Sequence, residues 1–190
     1  PGAPMAGSLE AARMGLQMVS DVSALALMPD DSHTRLKGKA TPGKRVAWNE
    51  PLPLDQVKAV GKVLGGSIND VLLSCVAGAI GDYLRSKGDD PAGLHIRAMI
   101  PVNLRPMEEA YKLGNRFGLV PLVLPIGVAN PIERLVQVRA GMAELKGSYQ
   151  PILALGLLAA MGAGPQALQE QLLGMLARSA TAVMTNVPGP

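Results

Sequence analysis

Between residues 67 and 104 the hydrophobic pattern changes its period, and that change commits the chain to a mixed α/β fold. Over residues 67–87, Val71, Leu72, Cys75, Val76, Ala79, Ile80, Tyr83 and Leu84 recur at helical spacing and make one wide apolar face. Ser67 is a natural N-cap, Asp70 stands three residues later where its carboxylate completes a capping box, and Gly88 supplies the stop. Over residues 94–104 the pattern alternates instead. Ile96, Ala98, Ile100 and Val102 are set against His95, Arg97, Met99 and Pro101, which predicts a strand. A helix and a strand bury their apolar sides at different periods, so the two patterns belong to layers that share one core.

The remaining elements follow from their start and stop signals. Residues 8–28 carry apolar side chains at mostly helical spacing, and residues 29–43 form a polar stretch with Pro and Gly that reads as a linker. Residues 45–48 predict a short strand, and residues 54–64 a helix that ends at Gly65 and Gly66. A second main strand is expected over residues 115–126, where Pro121 and Pro125 point to a sheet edge or to bulges. Asn130, Pro131 and Glu133 open a helix that runs to about Lys146, with Asn as the cap and Glu reaching back. Residues 152–178 predict two helices broken near Gly164 and Pro165, and residues 181–187 a last strand running into Pro188, Gly189 and Pro190. A strand that ends in such a turn is expected to lead into more structure.

Composition narrows the function. Hydrophobic residues make up 48% of the chain and aromatics only 3%, so the interior must be aliphatic, with ten Met among its candidates. Such a core suits flexible acyl chains, as it also suits a genome rich in Ala, Gly, Leu and Val codons. The formal net charge is +3, but Lys and Arg are scattered, and aromatic platforms for stacking bases are almost absent, which argues against nucleic acid. The longest basic run is Arg35, Lys37, Lys39, Lys44 and Arg45. It suits the phosphates of a cofactor or a membrane surface, or simply a solvated linker. The single cysteine, Cys75, excludes an internal disulfide and fits a reducing compartment. The most lipid-like stretch, residues 152–164, lies between Pro151 and Pro165 and is too short to cross a bilayer as a helix.

No complete catalytic apparatus is legible. His33 and His95 are far apart in sequence, neither has a second histidine at ligand spacing, and no metal centre is expected. Gly-x-Ser-x-Gly and the glycine-rich phosphate loops are missing. What stands out is polar residues in unusual settings. Asn69 and Asp70 lie in the first turn of the long helix, where free N–H groups and the positive dipole end suit a thioester oxygen or a phosphate. Capping alone accounts for Asp70; Asn69 has no such duty. Asn115, between Gly114 and Gly118, suits a pocket or a turn, and Asn186 ends a strand just before the rigid Pro188-Gly189 turn.

Together these segments resemble the bacterial wax ester synthase/diacylglycerol acyltransferase family. Ser67-Ile68-Asn69-Asp70-Val71-Leu72-Leu73 resembles its Asn-Asp motif. Leu113-Gly114-Asn115-Arg116-Phe117-Gly118 and Met184-Thr185-Asn186-Val187-Pro188-Gly189-Pro190 resemble two further signatures, with residues 97–105 matching between them. The resemblance covers residues 36–190 and implies an α/β fold similar to that of chloramphenicol acetyltransferase, with two related halves meeting along a tunnel. It implies an inter-domain helix and linker over residues 1–42 and a C-terminal acyltransferase domain over residues 43–190, truncated at its C-terminal end. It also implies acyl-CoA as co-substrate, no covalently bound cofactor, and diacylglycerol or a fatty alcohol as acceptor. The general base of the family is a histidine in a His-His-x-x-x-Asp-Gly motif, and no adjacent His pair occurs here, so that base and the missing N-terminal half are expected upstream. Asn69, Asp70, Asn115, Asn186, Pro188 and Gly189 carry over as candidates to line or shape the site. A cytoplasmic location, with peripheral contact to the inner membrane or lipid inclusions, is the accompanying expectation. The alternatives are a non-catalytic lipid-binding or scaffold module, and an acyltransferase of the same fold with a different acceptor.

Overall fold

A computed structural model describes residues 3–38, 42–106, 108 and 116–187. The order of elements is α1 (Ala3–Ala26), α2 (Leu54–Leu64), α3 (Ile68–Ser86), β1 (Ile96–Asn103), β2 (Phe117–Leu124), α4 (Pro131–Lys146), α5 (Gln150–Ala163), α6 (Gln166–Ser179) and β3 (Ala182–Val183). Among the described residues the strands form one mixed sheet in the order β2-β1-β3, antiparallel between β1 and β2 and parallel between β1 and β3. Pro121 thus falls on the edge strand, as its missing N–H requires.

One face of the sheet and two helices make the core. The register pairs Ile96 with Leu124, Ala98 with Leu122 and Ile100 with Val120, which puts the alternating apolar residues of both strands on one side. Ala77 and Leu84 of α3 and Val138, Met142 and Leu145 of α4 cover that side, and the cluster contains no aromatic ring. Each fully buried Leu, Ile or Val there contributes about 1.5–3 kcal/mol.

Polar contacts set how the helices sit. The capping box at α3 is complete: the Ser67 N–H donates to Asp70 Oδ2 at 2.7 Å, and the Asp70 N–H donates to Ser67 Oγ at 3.3 Å. Asn130 caps α4 by accepting from the N–H groups of Ile132 and Glu133 at 2.9 and 3.3 Å, while Glu133 accepts from Gln137. Two half-buried arginines of α4 then reach its neighbours. Arg134 donates to the Ser74 carbonyl of α3 at 2.8 Å, and Arg139 donates to the Leu64 carbonyl at the end of α2 at 2.8 Å. The α2 end is closed by Gly65 at φ 66°, a left-handed cap open to glycine.

In the polar stretch after α1, Asp31 is buried and bonds to the sheet. Two expectations are corrected. Residues 45–48 form no strand: Val46 and Trp48 are exposed, and no neighbouring strand among the described residues offers them a ladder. The last strand is only two residues long, and β1 explains why. Arg97, Met99 and Pro101 present their backbone groups toward β3. The Arg97 carbonyl accepts from Thr181 N–H at 2.9 Å and the Met99 carbonyl from Met184 N–H at 3.0 Å. Pro101 has no N–H to continue the ladder, so the chain leaves the sheet after Met184.

Candidate functional site

Where β3 departs, two of the sequence candidates meet. Asn69, in the first turn of α3, and Asn186, just past β3, are 117 residues apart in sequence, and Asn186 Nδ2 donates to Asn69 Oδ1 at 2.6 Å. Asn69 also lines a cavity of about 400 Å³ at the end of the core, walled by Ile100 and Val102 of β1, Val120 of β2, Met142 of α4 and Ile152 of α5. Lys146 and Ser148 add polar groups to that wall. The cavity is therefore mainly apolar, and its polar groups are Asn69 in the first turn of α3, Lys146 and Ser148. That is the form of a site that holds an aliphatic chain and orients a polar head.

Asp70 sits differently. It is buried at 4% exposure, its Oδ2 is spent on the cap, and its Oδ1 has no hydrogen-bond partner among the described residues. It shapes the helix start and does not line the cavity. Asn115, Pro188 and Gly189 lie outside the described residues. Gly118, which ends the same short motif as Asn115, has a packing role instead: a Cβ there would overlap the Pro151 carbonyl oxygen, so glycine lets α5 start against β2.

Sequence reasoning missed the group that fixes this corner of the sheet. Asp31 Oδ2 accepts from the Arg97 N–H at 2.9 Å and from Thr181 Oγ1 at 2.5 Å, while Oδ1 accepts from the Ser32 N–H at 2.9 Å. One carboxylate thus joins the segment after α1 to both β1 and the start of β3. Its neighbours Asp30, Ser32 and His33 gave a solvent-like setting, and no local signal sets Asp31 apart. Nearby, Arg35 grips Asp89 beyond α3 at 2.5 and 2.9 Å, and this hydrogen bonding holds the Asp89 carboxyl below its ordinary range. His33 and His95 are exposed. Among the described residues no group of three His, Cys, Asp or Glu side chains is placed to hold a metal ion.

A second cavity, of about 450 Å³, opens on the other side of the sheet, where Met99 and Leu119 face Leu157 and Leu158 of α5 and Leu173 and Leu176 of α6. Its walls are almost wholly aliphatic. No single helix among the described residues is long and apolar enough to cross a membrane.

The fold is similar to that of a wax ester synthase/diacylglycerol acyltransferase from Marinobacter aquaeolei VT8, with a TM-score of 0.50 and 26% identity over 72% of this chain and 29% of that one. A small mixed sheet with helices in this arrangement defines an α/β domain of the chloramphenicol acetyltransferase-like acyltransferase class. Residues 113–190 match the domain described as the WS/DGAT C-terminal domain. A candidate diacylglycerol O-acyltransferase of Mycobacterium tuberculosis strain H37Rv is 34% identical over 152 residues, covering 74% of this chain and 31% of the relative. Another from the same strain is 29% identical over 192 residues, covering 99% of this chain and 40% of the relative. The chain belongs to the wax ester synthase/diacylglycerol acyltransferase family, with residues 113–190 matching that family's C-terminal domain. It spans well under half the length of these curated relatives.

Proposed function

We propose that this chain is the C-terminal part of an enzyme that moves a fatty acyl group from acyl-CoA to diacylglycerol or a long-chain alcohol. The observation that carries the reading is the meeting of Asn69 and Asn186, drawn from two separate motifs, beside a mainly apolar cavity that Asn69 lines. In this reading the chain forms one wall of a tunnel shared with an N-terminal half. A histidine of that half takes the proton of the acceptor hydroxyl, whose oxygen attacks the thioester carbonyl. The tetrahedral intermediate then collapses to the ester and releases the CoA thiolate, which takes up the proton. Residues 1–42 serve as inter-domain helix and linker, and residues 43–190 as the acyltransferase domain itself. The partly exposed apolar residues of α1, among them Leu16 and Val19 at 72% and 65%, suit contact with that other half. The place of work is the cytoplasm, at the inner membrane or at lipid inclusions.

The chain contains no paired histidine motif, and in this reading the base comes from the N-terminal half. Loss of a general base typically costs about 10²–10⁴ in rate. The test is to assay palmitoyl-CoA with diacylglycerol and with hexadecanol, using the protein from the whole reading frame and the 190-residue chain by itself. Transfer by the first and none by the second is expected. Robust transfer by the chain alone refutes the division of labour, and no transfer by the whole protein refutes the activity.

A further inference from the structure

We propose that Asn186 is a positioning residue that turns the Asn69 amide so that its Nδ2 donor faces the cavity. The inference rests on the reading of the chain as one wall of an acyl-transfer site, and it goes beyond a shared lining role for the two residues.

The terminal torsion of an asparagine is broad and nearly two-fold, so an Asn side chain without a partner presents oxygen and NH₂ in turn. Here Asn186 Nδ2 donates to Asn69 Oδ1, an orientation that turns the Asn69 NH₂ away from Asn186. With its oxygen turned toward Asn186, the Asn69 NH₂ is directed elsewhere, and among the described residues no acceptor takes its donors. Asn69 itself lines the cavity. A donor at this point suits the carbonyl oxygen of a thioester, where negative charge develops as the alcohol attacks.

Both side chains are exposed, and an exposed hydrogen bond between neutral amides contributes little to folding. As a clasp the contact is weak; its use is orientation, and the sheet anchors the chain up to two residues before Asn186. Thr181 N–H and Met184 N–H bond to Arg97 and Met99 of β1, and Thr181 Oγ1 donates to buried Asp31. Pro101 then ends the ladder, and the chain is released toward the start of α3 with Asn186 two residues past the last sheet bond.

The experiment compares variants of the protein from the whole reading frame, with palmitoyl-CoA and diacylglycerol, and reads kcat, KM and melting temperature. Asn69→Asp keeps the acceptor for Asn186 but loses the donor, so kcat should fall about 10²–10³-fold, the loss typical for one oxyanion donor. Asn186→Asp offers only acceptors, so the Asn69 amide turns over and presents its oxygen to the cavity; kcat should fall nearly as far. Asn186→Ala merely frees the amide to rotate, and the loss should be only several-fold. KM for palmitoyl-CoA should change little, and melting temperatures should stay within about 2 °C. In an Asn69→Ala background, Asn186→Asp should cost nothing more, because it acts only through Asn69.

A contact that serves packing alone would give the opposite order. Asn186→Ala would then be at least as harmful as Asn186→Asp, with activity following melting temperature, and Asn69→Asp would stay active. Either result overturns the proposal. So does a full effect of Asn186→Asp in the Asn69→Ala background, which would mark a direct effect of the added charge. Absence of acyl transfer in the unmodified protein would instead refute the functional reading, and the positioning role would fall with it.

Discussion

Replacing Asp31 by alanine should destabilise this domain more than its place in a polar connecting stretch suggests. The side chain is only 5% exposed, and its carboxylate accepts three hydrogen bonds, from Ser32 N–H, Arg97 N–H and Thr181 Oγ1. Truncation leaves the Arg97 N–H and the Thr181 hydroxyl, both in half-buried residues, without this acceptor. An unsatisfied buried donor costs about 1–3 kcal/mol, and two of them give about 2–6 kcal/mol. Relief from burying the carboxylate offsets part of that. A net loss of about 3 kcal/mol is the working figure, which in a chain of this size lowers the melting temperature by about 6–12 °C. Asp31→Asn should cost less, because its amide oxygen can still accept from Arg97 and Thr181. Thermal unfolding followed by far-ultraviolet circular dichroism measures both variants. A Asp31→Ala protein that melts within about 2 °C of the original would refute the idea that this carboxylate staples the sheet corner.

Asp70→Ala should cost about 0.5–2 kcal/mol through the lost cap while turnover per folded molecule is largely kept. A stable but inactive variant would move Asp70 into the chemistry. Gly118→Ala should lower stability by about 1–3 kcal/mol in urea unfolding, since the new methyl meets the Pro151 carbonyl and α5 must shift; an unchanged midpoint would count against that close approach. The Arg35–Asp89 contact should make stability sensitive to acid. Arg35 holds the Asp89 carboxyl below its ordinary range, so its contribution is present above that ordinary value and is lost as pH falls through the lowered one. The gap in melting temperature between the original and Asp89→Asn should therefore close on acidification, and a gap constant down to pH of about 2 would refute this.

Much of the local structure is written in the sequence. The glycine stop of residues 54–64, the capped start and glycine stop of residues 67–87, the Asn130-Pro131 opening of α4 and the alternation of β1 each express a rule that operates within one or two turns, and the elements appear where those rules put them. Asn69 was legible as an amide without a capping duty, and Asp70 as a cap. Residues 45–48 mark the limit of such rules: a strand needs a partner for its backbone groups, and whether one is near is not a local property. The length of β3 is another case. It depends on Pro101 standing on the side of β1 that faces β3, a consequence of register across more than eighty residues. The same parallel pairing, and nothing in either motif by itself, brings Asn186 to Asn69 across 117 residues. Asp31 acquires its role in the same way, because a carboxylate looks alike in water and in a sheet corner until the chain has closed around it. Propensity and capping act over a few residues and can be read one segment at a time, whereas contacts between segments exist only once the shared apolar core has drawn the strands into register.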